Sequence, residues 1–361
     1  MRVVVAGGGL TGLTAAAVLR QAGWEVTVAE RAPAIRAAGA GIGLWPNAFR
    51  VFAGIGAAER IARTGRTVDT WFYDPAGRRV RAEGFTDAHH RFTLVPRAPL
   101  NDLLADAVGR SNIRLAARVV RFEERAEDVA VHLSTGEVLT GDLLVGADGV
   151  YSDVRAQLVP GSEAVPHAGH HSWRALVPAG GERRDGTVLT VGRDRTRGGY
   201  SRISGDTTMW MVNQFGCGEL SGSKREQALE RAHRMNDDGW HDDLIRMIEA
   251  TPEESILANQ VMMVPPLPTW TGARTVLIGD AAHALSPHIS AGGTLGIEDV
   301  GVLAGTLSAQ PDLSLALREY EKARMLRFDR VREFSAAVES AADAAAFAER
   351  YARFTRWMLD G

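Results

Sequence analysis

The hydrophobic pattern of the chain begins with a strand, a glycine-rich turn and a helix. Val3 to Ala6 is an apolar, β-branched run typical of a buried strand. Residues 10–21 are rich in Ala and Leu, which favour a helix. Consecutive glycines separate the two, and Trp24 to Ala29 predicts a second strand. This order is typical of a βαβ unit, so the start of the chain predicts an α/β fold with a Rossmann-like parallel sheet.

Further along, the pattern predicts an α/β region interrupted by a mostly β region. Between about His167 and Pro268 helical spacing weakens, and short alternating strands surround one polar helix. Residues 312–359 return to helical spacing, with apolar side chains three and four positions apart. The other predicted elements are a helix after Pro46, helices at Leu100–Val108 and Lys224–Met235, and strands at Ile113–Phe122, Val129–Leu133, Leu143–Gly146, Trp173–Val177, Thr187–Val191, Thr208–Gln214 and Thr275–Ile278.

This change of pattern predicts two domains, one inserted in the other. The α/β domain is discontinuous and comprises residues 1–72, 97–165 and 269–361, with a long C-terminal helical segment. The inserted domain comprises residues 73–96 and 166–268 and is a mostly antiparallel β-sheet. A chain of 361 residues agrees with about two domains of roughly 150 residues each.

Composition and charge argue against several classes of protein. The 41 basic and 44 acidic side chains give a net charge of −3, which argues against a nucleic-acid partner. No run reaches the ~18 apolar residues that span a membrane, so no membrane insertion is expected. Cys217 is the only cysteine, which excludes an internal disulfide and indicates a reducing, cytoplasmic location. The apolar C-terminal stripe suits packing within a monomer or the contact surface of a homodimer.

Glycines in the first turn match the spacing G-x-G-x-x-G of dinucleotide-binding folds. Gly7 allows the tight turn, Gly9 lets a pyrophosphate approach the backbone, and Gly12 lets helix and strand pack closely. The N-terminus of the following helix offers N–H groups and positive potential to phosphates. Glu30, at the end of the next strand, is placed to accept both hydroxyls of a ribose. The motif predicts a dinucleotide site without identifying the dinucleotide.

Separate motifs in the rest of the chain decide which dinucleotide is bound. They are LLVGADG at 143–149 with Ser152 and Arg155, GDAAH at 279–283 with Pro287, Gly292 and Asp299, the loop 39–42 with Pro46-Asn47, and Arg97 before Leu100. The first two sets resemble the DG and GD motifs of FAD-dependent aromatic hydroxylases. In order and spacing, the chain resembles the single-component class A flavoprotein monooxygenases of the p-hydroxybenzoate hydroxylase fold, and among them the salicylate, urate and tetracycline hydroxylases.

The resemblance implies FAD as the cofactor and a set of residues that hold it. Asp280 would bind the ribityl and pyrophosphate region, Asp148 would shape the same groove, and Arg97 would lie near the flavin or its phosphates. Gly292 and Gly293 would open a helix aimed at the flavin, whose negative charge a helix N-terminus favours by roughly 0.3–2 kcal/mol. The full set is Gly7, Gly9, Leu10, Thr11, Gly12, Glu30, Arg31, Gly41, Ile42, Arg97, Asp148, Asp280, Pro287, Gly292, Gly293 and Thr294.

The resemblance also implies an activity. It is that of a monooxygenase that consumes NADPH or NADH and O2, and hydroxylates a small aromatic or electron-rich cyclic substrate through a C4a-hydroperoxyflavin. Flavin-dependent halogenases share the fold, but they use an essential lysine and a W-x-W-x-I-P motif, and the first lysine here is Lys224. The intact DG and GD motifs argue against a non-catalytic flavin-binding regulator. A flavoprotein oxidase or reductase of the same fold, without oxygen insertion, remains the alternative.

The substrate is expected between the flavin ring and one face of the inserted sheet. Trp210, Asn213 and Phe215 lie on predicted strands there, and each suits the sheet core as well as the pocket wall. Pro287 would border the flavin ring. His288 would orient or deprotonate the substrate, since the unperturbed pKa of histidine is near 6.5. Pro287 and His288 are therefore the catalytic candidates, and a solvent-facing loop position is the alternative for His288.

The remaining histidines predict no further site. His89-His90 and His170-His171 are interpreted as solvated loop residues. Asp280 and His283 are three positions apart, but no third ligand stands nearby, so no metal site is predicted. His283 is interpreted as a structural residue of a helix.

Overall fold

The computed structural model describes residues 1–35, 40–68, 70–86, 89, 92–184 and 186–360. In chain order the strands are β1 (Arg2–Ala6), β2 (Glu25–Ala29), β3 (Gly41–Leu44), β4 (Arg66–Thr67), β5 (Thr70–Tyr73), β6 (Arg79–Val80), β7 (Thr93–Pro96), β8 (Ile113–Arg114), β9 (Val119–Glu124), β10 (Val129–Leu133), β11 (Val138–Gly141), β12 (Leu143–Gly146), β13 (Val165–Pro178), β14 (Thr187–Val191), β15 (Thr196–Arg202), β16 (Thr207–Gln214), β17 (Leu257–Met263) and β18 (Thr275–Leu277). The α-helices are α1 (Leu10–Gln21), α2 (Pro46–Gly54), α3 (Ala58–Thr64), α4 (Arg97–Val108), α5 (Asp153–Leu158), α6 (Lys224–His233), α7 (Asp242–Ala250), α8 (Asp280–His283), α9 (Gly292–Ala309), α10 (Leu313–Glu339) and α11 (Ala344–Asp360).

A parallel sheet carries the first glycine-rich turn. Among the described residues its order is β18–β12–β1–β2–β8, with β1 in the middle. Val3 pairs with Leu143 of β12 and with Val26 of β2, so the β1 turn and the DG motif end at the same edge. The central strands are buried on both faces, as parallel strands require. The predicted α/β class is confirmed.

A second, larger sheet packs against the α/β region. Its order is β17–β13–β16–β15–β14–β5–β6, and every pairing is antiparallel except that of β14 with β5. One face carries Trp173, Tyr200 and Trp210, which form a core with apolar residues of α6 and α7. Met209, on the opposite face, belongs to the core of the α/β region. The sheet is therefore covered by helices on one side and faces the α/β region with the other.

The strand pairing can be compared with the predicted boundaries of the two domains. The second sheet takes its strands from residues 70–80 and 165–263. Strand β5 crosses the predicted boundary between residues 72 and 73, and β7 pairs with β3 and β4 in a separate small sheet. The division into two domains remains a prediction.

Strand β15 and helix α7 were missed by the sequence pattern. Strand β15 contains Gly198 and Gly199, which disfavour a strand. A Cβ on Gly199 would overlap the carbonyl oxygen of Val188, so only glycine permits this approach of β14 and β15. Helix α7 buries Leu244 and Ile248, four positions apart, a spacing that would have predicted it.

The C-terminal segment is helical, as predicted, and it forms two helices, α10 and α11. The chain breaks after Glu339, and Asp343 accepts a hydrogen bond from Ala346 N–H at 2.8 Å near the start of α11. Phe347 of α11 contacts Phe72 of β5 with ring centroids 5.0 Å apart, so the last helix packs on the larger sheet. In the part of the chain that the structure describes, no helix combines the length and apolar character needed to cross a membrane.

Candidate active site

Close backbone packing shapes the glycine-rich turn between β1 and α1. Gly7 has φ of +102°, and a Cβ there would overlap the carbonyl oxygen of Ala147. A Cβ on Gly12 would overlap the carbonyl oxygen of Gly7, so turn and helix meet backbone to backbone. At Gly9 a Cβ would meet nothing within 4 Å, and Gly9 caps α1 without a side-chain hydrogen bond. The helix N-terminus is accessible there to a phosphate, which fits a dinucleotide.

Glu30 stands beside this turn at the end of β2. Its Oε2 accepts a hydrogen bond from Gly8 N–H at 2.6 Å, and its Oε1 accepts one from Ala32 N–H at 2.7 Å. Together with Arg31 and Asp148, Glu30 lines a small cavity at the carboxyl edge of the parallel sheet. Each carboxylate oxygen retains a second lone pair, so the fixed carboxylate can still accept the hydroxyls of a ribose.

Asp148 of the DG motif is held by the start of α5. Its carboxylate accepts hydrogen bonds from the Ser152 hydroxyl and from the backbone N–H groups of Asp153, at 2.8 Å, and Val154, at 3.3 Å. Burial raises the pKa of Asp148, and these hydrogen bonds partly offset the rise. Asp148 thus forms part of the groove wall with its carboxylate already engaged by protein.

The GD turn, residues 279–283, is anchored from α9. Gly279 has φ of +58°, and its N–H donates to Asp299 Oδ2 at 2.8 Å. The same oxygen lies 2.6 Å from His283 Nε2, while Asp299 Oδ1 accepts from Arg324 Nε at 2.6 Å. Burial alone would raise the pKa of Asp299, but His283 and Arg324 lower it to about 2. This buried network supports the interpretation of His283 as a structural residue.

Asp280 is exposed at the first position of α8, in front of this network. Its negative charge acts on Arg97: burial lowers the pKa of the Arg97 guanidinium, and Asp280 partly offsets that effect. Arg174 of β13 is also near, since burial and then the charge of Arg97 lower its pKa. A carboxylate and two guanidinium groups therefore stand where the two large sheets meet, a polar setting that suits the ribityl and phosphate chain of a flavin.

The N-terminus of α9 lies beside Asp280. A Cβ on Gly292 would be 3.9 Å from Asp280 Oδ1, whereas one on Gly293 would overlap a side chain of β3. Thr294 is fully buried, and its Oγ1 accepts from Trp45 N–H at 3.0 Å. The Thr294 hydroxyl therefore joins α9 to the end of β3, and a cofactor would meet Thr294 through its backbone N–H.

Other predicted cofactor residues lie where the elements around the groove pack together. A Cβ on Gly279 would lie 2.8 Å from Thr11 Oγ1, so α1 touches the GD turn directly. Pro287 is exposed at the start of a 3₁₀ turn. The residues that pack these elements are Leu10, Thr11, Gly41 and Ile42. Gly39 of the predicted loop lies outside the described residues.

The structure brings together three of the four predicted substrate residues and separates Trp210 from them. The rings of Phe215 and His288 lie 4.8 Å apart. Asn213 pairs with Arg197 of β15, whose guanidinium carbon lies 5.7 Å from the Phe215 ring centroid. Trp210 is fully buried on the other face, and its Nε1 donates to Thr251 Oγ1 at 2.8 Å. Its placement beside the substrate is corrected, because an odd spacing from Asn213 turns its side chain to the helices.

His170, interpreted from sequence as a solvated loop residue, is fully buried in β13. Its ring centroid lies 4.1 Å from that of Phe215 and 4.7 Å from that of His288. The sequence signal was obscured because the register of β13 shifts between Pro166 and His171. The partner His90 of the other predicted pair lies outside the described residues.

The protonation of His288 also differs from the expectation. Burial, and then the charges of Arg197 and His170, hold the pKa of His288 well below its ordinary value. His288 as a residue is half-buried, yet its Nε2 atom is shielded from solvent. A neutral imidazole of such low basicity is suited to hydrogen bonding with a substrate, and is poorly suited to removing a proton from one near pH 7.

Comparison with known proteins identifies the family of this chain. Residues 1–335 match the family described as FAD binding domain. Aurachin C monooxygenase/isomerase of Stigmatella aurantiaca is 34% identical over 334 residues, which cover 91% of this chain and 86% of that protein. 6-Hydroxynicotinate 3-monooxygenase of Bordetella bronchiseptica is 30% identical over 354 residues, covering 92% and 90%. Klebsiella pneumoniae HpxO, solved with FAD and uric acid, superimposes with a TM-score of 0.86 at 25% identity, covering 100% and 96%.

These comparisons confirm the prediction of an FAD-dependent monooxygenase and do not favour the oxidase or reductase alternative. The described residues also fit that cofactor. The N-terminus of α1 is open at Gly9, the fixed Glu30 carboxylate lines the adjacent cavity, and the GD turn that carries the exposed Asp280 contacts α1 at Thr11. The chain belongs to the FAD-binding domain family of class A flavoprotein monooxygenases.

Proposed function

We propose that this chain binds FAD in the groove between the two large sheets and hydroxylates a small aromatic or heterocyclic substrate at the end of that groove. The observation that supports the proposal most directly is that several elements meet at one place. The N-termini of α1 and α9 and the GD turn meet along one groove, and the Phe215–His288 pair lies just beyond Pro287. FAD supplies the redox chemistry, taking a hydride from NADH or NADPH and activating O2.

Each part of the groove would bind a different part of FAD. The N-terminus of α1 faces the pyrophosphate, and Glu30 accepts the adenosine ribose hydroxyls. Asp280 and Arg97 hold the polar chain that leads to the flavin ring. The backbone N–H groups at Gly292 and Gly293 lie at a helix N-terminus, where partial positive charge favours the anionic reduced flavin.

On the substrate side, Phe215 and His288 supply ring contacts in a buried setting. Exclusion of water matters here because an activated oxygen species that meets water is lost without product. His288 orients the substrate through Nε2, which has no hydrogen-bond partner among the described residues. The relatives act on aurachin C and 6-hydroxynicotinate, and HpxO was solved with uric acid, which supports a planar aromatic or heterocyclic substrate here.

The finer statements on partners and location are also proposals. The net charge of −3 and the single Cys217 support a cytoplasmic enzyme without a nucleic-acid partner. The half-buried Trp357 and Phe334 of the C-terminal helices pack on each other, which supports a monomer as well as a homodimer.

The proposed function is tested by adding FAD to the purified protein and following reduction of the bound flavin by NADH and NADPH in a stopped-flow instrument. A panel of hydroxylated aromatic and heteroaromatic compounds is then screened for faster nicotinamide oxidation. The proposal expects a stoichiometric flavin, an accelerating compound, and a product heavier by one oxygen atom. A protein that binds no FAD, or whose bound flavin neither nicotinamide reduces, contradicts it.

A further inference from the structure

Buried polar atoms without hydrogen-bond partners gather around Phe215. We name the side chains concerned the inner cluster: His170, Arg197, Asn213, Phe215 and His288. Within the described residues, the polar atoms of this cluster that have no partner are His170 Nδ1 and Nε2, Arg197 Nε and Nη1, Asn213 Oδ1, and His288 Nε2. Only one edge of the Arg197 guanidinium is engaged, because its Nη2 donates to the carbonyl oxygens of Val338 at 3.0 Å and Glu339 at 2.9 Å.

The register of the larger sheet explains why these side chains meet. Asn213 pairs directly with Arg197 of β15, and directly paired residues share a face of the sheet. Phe215 follows two positions later on that face, and its ring stacks on His170 from the neighbouring β13. The 3₁₀ turn Pro287–Ile289 supplies His288, whose ring lies 4.7 Å from His170 at an interplanar angle of 9°. Four separate segments therefore build the inner cluster beside the proposed flavin site.

This concentration of buried polar atoms without hydrogen-bond partners indicates a ligand site. A buried polar atom without a partner costs about 1–3 kcal/mol, and native proteins keep very few of them. In the second core, on the other face of the same sheet, Tyr200 and Trp210 are equally buried and each has a protein partner, while His241 Nε2 beside them has none. The inner cluster differs in that unpaired atoms occur on four neighbouring side chains.

The charges around the inner cluster favour an anion. Arg197 is buried with the cluster, and the guanidinium carbon of Arg195 lies 4.2 Å from the Phe215 ring centroid. The acidic side chain Glu339 is already paired with His167, at 2.9 Å from its Nε2. Glu339 also acts on Arg197, since its charge partly offsets the burial that lowers the Arg197 pKa, whereas the charge of Arg195 lowers that pKa further. One carboxylate thus faces two guanidinium groups, and a negative group on the ligand would improve the charge balance of this buried site.

The acceptor atoms of the inner cluster also require hydrogen-bond donors on the ligand. Burial, and then the charges of His167 and Arg197, lower the pKa of His170 to about 3, so its ring is neutral near pH 7. A neutral imidazole always presents one acceptor nitrogen, and the amide of Asn213 presents a carbonyl acceptor. A ligand bearing an oxyanion alone would satisfy Arg197 and leave both acceptors unpaired.

From these contacts we infer that the inner cluster is a selectivity site for a planar aromatic anion that carries two O–H or N–H donors besides its oxyanion. Arg197 pairs with the oxyanion, His170 and Asn213 accept from the two donors, and Phe215 and His288 contact the ring from one side. His170 and Asn213 are positioning residues. This inference rests on the proposed function and specifies the substrate class of the same site.

The test measures binding of one graded series to the FAD-loaded protein by isothermal titration calorimetry. Benzoate, 4-hydroxybenzoate and 3,4-dihydroxybenzoate share ring and charge, and differ by one hydroxyl donor each. We expect each added hydroxyl to tighten binding at least five-fold, and 3,4-dihydroxybenzamide, without the anion, to bind at least ten-fold more weakly than the acid.

Two variants test which residues provide the gain in affinity from each hydroxyl group. His170→Phe keeps an aromatic ring in the stack and Asn213→Leu keeps a similar volume, and each should remove the gain from one hydroxyl while binding of benzoate stays within two-fold. His241→Phe is the matched control, because His241 is equally buried but stacks on Trp240 in the second core. It should leave the whole series unchanged.

Equal affinity of the three acids, no binding of any of them, or an unchanged series in His170→Phe and Asn213→Leu would overturn the inference. FAD content and nicotinamide oxidation are measured on the same samples. If both are intact while the series is flat, the inference alone fails. If FAD is not bound, or is not reduced by nicotinamide, the proposed function fails whatever the series shows.

Discussion

Arg155 Nη1 donates a hydrogen bond to the carbonyl oxygen of Ala281 at 3.0 Å, and so joins the DG motif to the GD turn. The same guanidinium donates through Nε to Ser162 at 2.9 Å and through Nη2 to Val150 at 2.8 Å. Arg155 is 2% exposed, so these carbonyl groups have no water to replace it. Two motifs that lie far apart in the sequence are thereby held as one wall of the proposed FAD groove.

Replacing Arg155 with Met should lower the free energy of unfolding by about 3 kcal/mol or more, because buried carbonyl groups lose their donors. The FAD dissociation constant should rise with it. Arg118→Met is the control: Arg118 pairs with Asp153 nearby, but its side chain is 54% exposed, so a loss of at most about 1 kcal/mol is expected. Urea unfolding measures both, and equal losses in the two variants would show that Arg155 does not bridge the motifs.

Glu30→Ala should raise the dissociation constant of FAD about ten-fold or more, since hydrogen bonds to a carboxylate contribute about 1.5–3 kcal/mol. Flavin fluorescence titration measures the constant. Glu25→Ala, an exposed position at the start of the same strand, should leave it unchanged. An unchanged constant in Glu30→Ala would mean that this carboxylate serves only Gly8 and Ala32.

The inner cluster predicts a loss of stability in acid. The pKa of His170 is about 3 in the folded protein because of burial and then the charges of His167 and Arg197, whereas an unfolded histidine titrates near 6.5. The unfolded chain therefore binds the proton first, and this contribution to stability is complete above pH 6.5 and is lost as pH falls toward 3. The slope is up to about 1.4 kcal/mol per pH unit for one group.

In denaturation with saturating FAD, His170→Phe should reduce that slope between pH 6 and 4 by up to about 1.4 kcal/mol per pH unit. His233→Phe, at an exposed position of α6, should not change it. Parallel pH dependence in the wild type and His170→Phe would show that His170 takes up its proton equally readily in both states.

His288→Ala should retain FAD and lose coupling of nicotinamide oxidation to product, since the substrate is no longer oriented. Because burial, and then Arg197 and His170, lower the pKa of His288, the pH profile between 6 and 8 should stay as in the wild type. Product and peroxide yields with a confirmed substrate measure the coupling. A pH profile that changes in this range would instead identify His288 as a proton acceptor, and wild-type coupling would remove it from the site.

Local signals predicted the first motif well and the substrate side poorly. Helix α1 has the predicted bounds, Leu10 to Gln21, because the glycine-rich turn and the Ala- and Leu-rich run that signal it lie in one short stretch of sequence. The GD turn was likewise recognisable, although Arg324 of α10, which donates to the anchoring residue Asp299, was not predicted. That contact depends on how α9 and α10 pack, which spacing along the chain does not encode.

On the substrate side, pairing between strands decides which residues meet. Period-two alternation separates Trp210 from Asn213 but does not say which face turns to the flavin. Arg197 was missed with the rest of β15, whose glycines suppress strand propensity. His170 was missed because the register shift in β13 hides its face.

A monooxygenase inserts one atom of O2 into its substrate, and this chain is expected to do so. The direct measurement is turnover of the FAD-loaded protein under ¹⁸O2 with NADPH or NADH and the compound that most accelerates nicotinamide oxidation, followed by mass spectrometry of the product. We expect a product with a single ¹⁸O atom, in amounts close to the nicotinamide consumed. Nicotinamide oxidation that yields only hydrogen peroxide and unlabelled compound, across all accelerating compounds, would contradict it.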